Sequence, residues 1–582
     1  MKDLKSLIMF FTLFSFAIPV TQAHAISGGE SQDGGIGNTE HYLDQDSSMT
    51  ADPKIKNIIY PLMSTPAIKK KGSSFTIQVD TQGKTPSGWG VKLQENTASQ
   101  VDGEYALPVT KVEKGTSYWK DSSSIYNVTV TIPNDIPEKL YDLNISYSAD
   151  GAQVSDEEPN SVKVVNEFKK DFRFIHLTDI HVGSPRNLAK PEDAAEAGFW
   201  TPDESKRWLY LQKTIREVNL LKPDFVVLTG DLMFGQMNPK EYIYEYKETY
   251  RMLKKFNVPV YVVPGNHDYY AQDATLTDGA KYWEQYFGPQ YFSFDYGPYA
   301  HMIGYNSFDW DKFDRQGHGS VSVPTWGGQV RQQQVDWIKN DLAKNAETAD
   351  AEQIKGLFSH HNPLWRDRDI WPSSDSQVAD YWKNYDAKHD PQNLTTLLQG
   401  EVLGQKYDQQ WHGEGAQQMI DLMKQYHVNL SLHGHTHIDN ITKKDGILYS
   451  TTSSIELTGQ PWVGYRIFQK NPASPDFSSY IYEGTERSTP VYQNGNTAAG
   501  TVSFEANYTQ PNDGTQRKQT VTAVNRLNKE VTLNIPLYMK PGSYSSTEGE
   551  ITESNAYGLK QWMEVKVTVP ANSSKDVTIQ PK

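Results

Sequence analysis

The chain has no cysteine among its 582 residues. That excludes disulfides, thiolate metal ligands, cysteine nucleophiles and a lipid-modified cysteine behind a leader. Exported proteins are often disulfide-stapled, so a cysteine-free exported chain is expected to be bacterial, with cores large enough to stand alone. Positive charge is also scarce: 56 Lys and Arg against 71 Asp and Glu leave a formal net charge of −15. A nucleic-acid binder shows a basic stripe, so no specific nucleic-acid partner is expected, and a nuclease with its basic channel is disfavoured. A phosphate substrate is not excluded, because bound cations would dominate the local field. Long apolar runs are missing beyond residues 1–25, so no transmembrane segment is expected. There is no twin arginine, no repeat of fixed period and no strong low-complexity tract.

What is present begins with a leader. Lys2 and Lys5 precede an apolar run from Leu7 to Val20, and Ala23-His24-Ala25 is a small-x-small cleavage site. Residues 1–25 therefore read as a Sec-type signal peptide, and the expected location is secreted or periplasmic. Residues 26–52 are rich in Gly, Ser, Asp and Thr without hydrophobic period, as in a flexible tether. Over 53–165 short runs alternate, for example Tyr126, Val128, Val130 and Ile132, which predicts an N-terminal β-sandwich of immunoglobulin or fibronectin type. Alternation returns over 488–582, where Val531, Leu533, Ile535 and Leu537 predict a second β-sandwich.

Between these flanks, residues 166–487 have a different texture. Apolar strands around Phe172 to Thr178, Phe225 to Thr229 and Pro259 to Val263 alternate with helical patterns such as Trp208, Leu211, Ile215 and Val218. Strand and helix in alternation predict an α/β layered domain, whose ligands gather beyond the carboxyl ends of strands. A polar, Trp-rich segment from Trp365 to Trp411 interrupts the rhythm. It reads equally as a lid or as a surface excursion packing its own aromatics.

Five short segments each fall where a predicted strand gives way to a loop: Asp179-Ile-His181, Gly230-Asp231, Gly265-Asn266-His267-Asp268, His360 and Gly434-His435-Thr436-His437. Residues two apart at a strand end can share a face, so Asp179 with His181, and His435 with His437, could each converge on one ion. Asp231 could bridge two cations through its two oxygens, and Asn266 offers an amide oxygen. Carboxylate, amide and imidazole without thiolate suit Mn, Fe or Zn. A dinuclear centre would activate a bridging water and clamp the oxygens of an in-line displacement at phosphorus. His267 is then the natural general acid for the leaving oxygen, with Asp268 placed to orient it. A lone His or Asp at a strand end is more often a turn or capping residue; five in order are not. His176 and His433 read as core histidines, Asp439 and Asn440 as turn caps, and His318, between glycines, as able to reach a substrate.

In these segments the chain resembles the calcineurin-like metallophosphoesterases, whose motifs run D-x-H, G-D, G-N-H-D/E, H and G-H-x-H. The resemblance covers about Phe172 to Phe468. It implies a four-layer α/β/β/α sandwich and two divalent metal ions. One ion would be held by Asp179, His181, Asp231 and His437, the other by Asp231, Asn266, His360 and His435. The purple acid phosphatase branch carries D-x-G and a tyrosine three residues after the G-D aspartate; here those positions hold His181 and Phe234, so that branch is not expected. The usual H-x-P is one residue longer in Ser359-His360-His361-Asn362-Pro363. Strand register favours His360 as the ligand, whereas His361 fits the H-x-P spacing.

The expected function is a secreted dinuclear metal-dependent phosphoesterase, opening phosphomonoester or phosphodiester bonds by attack of a metal-bridging hydroxide on a phosphate ester substrate. The alternative is a non-catalytic cell-surface or polymer-binding protein with a metal-binding central domain, and the complete ligand set argues against it.

Overall fold

The computed structural model describes residues 52–96, 101–183, 208–235, 239–269, 279–310, 327–350, 352–365, 411, 413–437, 439–455, 462–473, 477–479, 488–493 and 503–582. The expected leader, the tether up to residue 51, His318 and the Trp-rich segment over 366–410 lie outside the described residues. No helix among the described residues is long and apolar enough to cross a membrane.

The N-terminal strands are β1 (Ile58–Tyr60), β2 (Ala67–Lys70), β3 (Ser74–Asp80), β4 (Ser87–Glu95), β5 (Glu104–Ala106), β6 (Val109–Lys114), β7 (Ile125–Thr131), β8 (Leu140–Ala149) and β9 (Ala152–Val165). They form two sheets, β1-β3-β7-β6 and β2-β9-β8-β4-β5. Period-two alternation sends Ile77, Val79, Val128 and Val130 of one sheet into the same apolar cluster as Leu93, Leu143, Ile145 and Val162 of the other.

The central region alternates strand and helix: β10 (Arg173–Leu177), α1 (Leu209–Leu221), β11 (Phe225–Thr229), α2 (Pro239–Leu253), β12 (Val260–Val263), α3 (Gly279–Tyr286), β13 (Phe292–Tyr296), β14 (Ala300–Gly304), α4 (Gln332–Ala346), β15 (Ile354–Phe358), α5 (Ala416–Gln425), β16 (Leu430–His433), β17 (Asn440–Lys444), β18 (Ile447–Thr451), β19 (Trp462–Lys470), β20 (Phe477–Ser479) and β21 (Thr489–Gln493). α1 shows why such segments are helical. Leu211, Ile215 and Val218 recur at helical spacing on its buried face, and the helix stops where Lys222 turns left-handed and returns its N–H to Val218 O.

Two six-stranded sheets result. The first runs β12-β11-β10-β19-β20 with β21 also on β19; the second runs β13-β14-β15-β16-β18-β17. β10, β11 and β12 are mutually parallel, as are β14, β15, β16 and β18. Phe174, Phe225 and Tyr261 of the first sheet share an apolar cluster with Met302, Phe358 and Leu432 of the second. The opposite face of the first sheet, including Ile175 and Leu177, packs with α1, α2 and α3. Ile303 and Leu357 of the second sheet pack instead with Val335 and Ile338 of α4 and Met419 and Met423 of α5. Alternate residues of one strand thus serve different layers. The pairing of β21 with β19, Trp462 opposite Gln493, carries the first sheet past residue 488.

The last strands are β22 (Phe504–Tyr508), β23 (Gln519–Asn525), β24 (Val531–Met539), β25 (Tyr544–Ser546), β26 (Glu550–Tyr557), β27 (Lys560–Val569) and β28 (Ser573–Pro581), in sheets β22-β23-β28-β25 and β24-β27-β26. Their apolar interior is continuous with the layer around α1, since Leu533, Val565 and Val577 belong to the same cluster as Leu211 and Val218. The flanking regions also satisfy carbonyls left open at helix ends. Asn534 Nδ2 donates to Leu221 O at 3.2 Å, closing α1, and Asn160 Nδ2 donates to Lys254 O and Phe256 O at 3.1 Å just past α2. N- and C-terminal regions meet each other at Glu95, which receives Lys139 Nζ at 2.9 Å and the Tyr557 hydroxyl at 2.7 Å.

Candidate metal centre

Every segment singled out from the sequence lies just beyond a strand's carboxyl end. Asp179 and His181 follow β10, Asp231 follows β11, Asn266, His267 and Asp268 follow β12, His360 follows β15, and His435 and His437 follow β16. β10, β11 and β12 end side by side in one sheet, β15 and β16 in the other, so parallel register brings three of the loops to one edge of the first sheet and two to one edge of the second.

The backbone there is unusual. Asp179, His181, Asp231, His435 and His437 have φ of 52°, 39°, 51°, 72° and 59°. Left-handed backbone costs a non-glycine residue on the order of 1 kcal/mol or more and persists only where its surroundings over-determine it. Hydrogen bonds do so here. Asp179 N–H donates to Gly230 O, His181 N–H to Asp231 O, and Ile455 N–H to Asp179 O, all at 3.0–3.2 Å. Close approach does the rest. A Cβ on Gly434 would overlap Thr178 Oγ1 and Asp179 Oδ2, and one on Gly230 would lie 2.6 Å from Gly265 N.

Side chains from separate segments converge as a result. Four interlocking groups each bring one ligand atom per residue within 4.8 Å of the others: Asp179, His181 and His437; Asp179, Asp231 and His360; His181, Asp231 and His267; His360, His361 and His435. His437 Nε2 is 3.2 Å from Asp179 Oδ1, and His360 Nε2 is 3.1 Å from Asp231 Oδ2. His181 Nε2 lies 3.5 Å from Asp231 Oδ2 and 3.2 Å from His437 Nε2. His435 Nδ1 is likewise 3.2 Å from His360 Nε2. Asn266 is buried in the same loop as His267, directly after Gly265.

The electrostatics fit cations. Asp179 and Asp231 are fully buried, and their only ion-pair partners among the described residues are histidines. Buried carboxylates need opposite charge. Burial opposes ionisation of Asp179, yet His437 and His360 hold its carboxyl well below the usual carboxylate range. Burial likewise disfavours a charged His360, but Asp231 and Asp179 outweigh it and push that imidazole up to about 9. Several imidazole nitrogens crowded against two buried carboxylates, without sulfur, make a donor set for a borderline divalent ion.

Hydrogen bonds fix ring orientations. His360 Nδ1 lies 2.7 Å from Thr229 O, and a carbonyl only accepts, so Nδ1 carries a hydrogen and Nε2 is the nitrogen turned to Asp231. His267 Nδ1 is held in the same way by Phe234 O. Burial pushes the His267 imidazole down to about 4 against the pull of Asp231, so the neutral ring presents Nε2 as an acceptor. Asp268, expected to orient His267, is itself held by backbone donors. The Asp268 carboxylate accepts from Leu232 N at 2.8 Å, Met233 N at 3.1 Å and Gly265 N at 2.7 Å. Three buried amides donate to it, so it ties the Asp231 loop to the Gly265 loop.

Sequence reasoning passed over the carbonyls of Thr229 and Phe234, because a backbone acceptor leaves no signature in residue type. His176 and His433 are fully buried, as core histidines. His176 bridges Thr229 Oγ1 and Thr452 Oγ1 at 2.8 Å, and His433 bonds Ser431 Oγ at 2.8 Å. Asp439 does more than cap a turn: it pairs with the buried Arg466 at 3.0 Å and accepts from Ser453 and Ser488 N–H. Asn440 accepts from the Thr442 hydroxyl at 2.9 Å.

The same region is similar to known proteins. Residues 172–439 match the family model for the calcineurin-like phosphoesterase. An uncharacterized metallophosphoesterase of Campylobacter jejuni is 29% identical over 148 residues, covering 25% of this chain and 33% of its own length. The DNA double-strand break repair protein Mre11 of Archaeoglobus fulgidus is 31% identical over 101 residues, 17% of this chain and 20% of that protein. The chain thus spans a third or less of these relatives' own length. Among solved structures, a purple acid phosphatase from yellow lupin (Lupinus luteus) seeds aligns at 10% identity and a TM-score of 0.33, over 68% of this chain and 67% of its own. Residues 172–439, which span all five of these loops, are a calcineurin-like phosphoesterase domain.

Proposed function

We propose that the chain is an exported phosphoesterase that uses two divalent cations, Mn, Fe or Zn, to hydrolyse a phosphomonoester or phosphodiester. The observation carrying this reading is the interlock of the four side-chain groups: Asp179, Asp231, His181 and His360 each belong to two of them, so the clusters form one pocket able to hold neighbouring ions. In this reading Asp179, His181, Asp231 and His437 hold one ion, and Asp231, Asn266, His360 and His435 hold the other. Such a pair of cations lowers the pKa of water and neutralises charge gathering on phosphoryl oxygens.

The chain's own groups set the remaining chemistry. Thr229 O keeps His360 Nε2 turned to Asp231, and the Asp268 carboxylate fixes the spacing between the Asp231 and Gly265 loops. The His267 ring brings a nitrogen within 4.8 Å of ligand atoms of Asp231 and His181, and Phe234 O orients that ring through Nδ1. A phosphate dianion beside Nε2 raises the low pKa of that imidazole, so the substrate itself would help protonate the group that delivers a proton to the leaving oxygen.

The same reading takes the two central sheets and their helical layers as a four-layer α/β/β/α sandwich. It takes 53–165 and 488–582 as β-sandwich modules, and 1–25 as a leader removed on export. The test uses the mature protein loaded with Mn, Zn or Fe, assayed side by side on nitrophenyl phosphate and bis-nitrophenyl phosphate. Hydrolysis of at least one, lost on chelation and in Asp231→Asn, is expected. Tight metal loading without turnover of either ester would sink the proposal.

A further inference from the structure

The peptide group that orients His267 is itself held from its other side. Phe234 O receives the hydrogen of His267 Nδ1. A carbonyl only accepts, so Nδ1 is the donor whether the ring is neutral or charged. The N–H of that same peptide bond belongs to Gly235, and it donates to Glu245 Oε2 at 2.8 Å. The bond is trans, and in a planar trans peptide the C=O and N–H point in opposite directions, so fixing one fixes the other. His267, the Phe234–Gly235 peptide and Glu245 form one line of hydrogen bonds, imidazole to carbonyl and amide to carboxylate.

Glu245 lies in the middle of α2 and is fully buried. Its carboxylate abuts both metal-site loops because glycine stands at each contact. A Cβ on Gly183, two residues past His181, would overlap Glu245 Oε1. Gly235, on the other loop, has φ of 60°, a left-handed turn that glycine makes at no steric cost. The next residue along the helix, Tyr246, donates its hydroxyl to Asp268 O at 2.7 Å. Consecutive residues of α2 thus hold both partners of the Phe234–His267 contact, Glu245 the acceptor's peptide and Tyr246 the loop that carries His267. Phe234 N–H is fixed separately, on Val182 O at 3.0 Å. A carboxylate that accepts from a peptide N–H also polarises the carbonyl on the far side, strengthening it as an acceptor.

We propose that Glu245 is the positioning residue for His267, acting through the Phe234–Gly235 peptide to hold the imidazole in its working orientation. This rests on the phosphoesterase reading above and goes beyond it, by giving a residue of α2, outside the five metal-site loops, a share in the rate. It asks for no particular charge on His267 and for no ligand role of Glu245, which belongs to none of the four candidate metal groups.

The test compares metal-loaded full-length wild type with Glu245→Met, which keeps the bulk and removes the acceptor, and Glu245→Gln, whose amide oxygen can still accept. His267→Ala and the double variant Glu245→Met with His267→Ala complete the cycle, and Glu245→Ala takes the place of Glu245→Met if melting shows that the latter does not fold. The readouts are metal content, kcat on a phosphate ester with a poor leaving group, and proton NMR of the His267 Nδ1–H in histidine-labelled protein, identified by its loss in His267→Ala. Glu245→Met should keep the wild-type metal content and lose about tenfold in kcat, roughly what one hydrogen bond gives. Glu245→Gln should recover most of that loss. In the His267→Ala background the Met substitution should cost nothing further, because a residue acting only through His267 has nothing left to act on. The Nδ1–H resonance should move in Glu245→Met and stay near its wild-type position in Glu245→Gln. Losses that add across the cycle would overturn the proposal, as would an unmoved resonance or a lost metal equivalent in Glu245→Met. A wild type inactive on every phosphate ester sinks the phosphoesterase reading, while the Nδ1–H resonance still decides whether Glu245 sets the ring.

Discussion

Gly434→Ala probes how tightly the pocket is built. Gly434 precedes two ligand candidates, and a methyl group there would overlap Thr178 Oγ1 and Asp179 Oδ2. Neither neighbour can give way cheaply. Both residues are fully buried, Thr178 Oγ1 donates to Asp179 Oδ2 at 2.6 Å, and His435 N–H donates to the same oxygen at 3.0 Å. Forcing one methyl into packed surroundings costs about 1–3 kcal/mol. Since both obstacles, Thr178 Oγ1 and the Asp179 carboxylate it donates to, hold Asp179 in place, much of that strain should appear as a displaced ligand, lowering metal affinity roughly 10- to 100-fold, as when a ligand's support is removed. The assay is metal content against free metal concentration, with thermal melting of metal-free and metal-loaded protein. The control is Gly542→Ala, whose new methyl would have the Tyr544 side chain as its nearest neighbour, at 3.2 Å. Wild-type metal affinity in Gly434→Ala would refute the reasoning, because it would mean Asp179 is free to move without consequence.

Four further outcomes are expected. His267→Ala should keep its metal but lose about 10²- to 10⁴-fold in kcat, most on substrates with poor leaving groups; equal loss on good and poor leaving groups would argue against proton delivery. Chelation should abolish hydrolysis and lower the melting temperature, since ions that bind only the folded state stabilise it by mass action; a melting curve indifferent to chelator would contradict this. Asn160→Leu should destabilise by about 1–2 kcal/mol in urea denaturation, because it removes a buried amide that donates to the carbonyls of Lys254 and Phe256, the latter keeping only its longer bond from Asn96 Nδ2 at 3.3 Å; unchanged stability would show that neither bond contributes. His301 is buried between Asp295 Oδ1 and Asp341 Oδ2, each at 2.8 Å; burial alone would lower its pKa, but the two carboxylates push it up to about 9. A folded pKa above the unfolded value of about 6.5 gives stability that is full below about pH 6.5 and lost as pH rises through about 9. Asp341→Asn should remove about 2 kcal/mol at the acidic end of that window and almost nothing above it; a loss independent of pH would contradict the assignment.

How much of this was legible in the sequence depends on the reach of each signal. The strand-ending motifs were legible because a short apolar run followed by Gly-Asp, Gly-Asn-His-Asp or Gly-His-x-His carries both the fold signal and the donor set within a few residues. The α/β alternation was legible for the same reason, as with Leu211, Ile215 and Val218 on α1. What escaped was non-local. His181 and His437 touch across 256 residues of chain, and no local pattern encodes that meeting. Asp268 stands beside His267 in sequence, yet its carboxylate is claimed by amides more than thirty residues away, Leu232 and Met233. The merging of the last strands' interior with the α1 layer likewise depends on which outward apolar faces meet, and alternation alone does not say that.

The left-handed backbone at Asp179 and Asp231 bears on how mutants here are read. Asparagine tolerates that conformation nearly as well as aspartate, whereas alanine does not. An alanine scan would therefore convolve two losses at these positions, an anion and a backbone preference, and would overstate what the charge contributes. Amide replacements keep the turn and remove only the charge, so the difference between the Asn and Ala versions of each aspartate measures the conformational share directly.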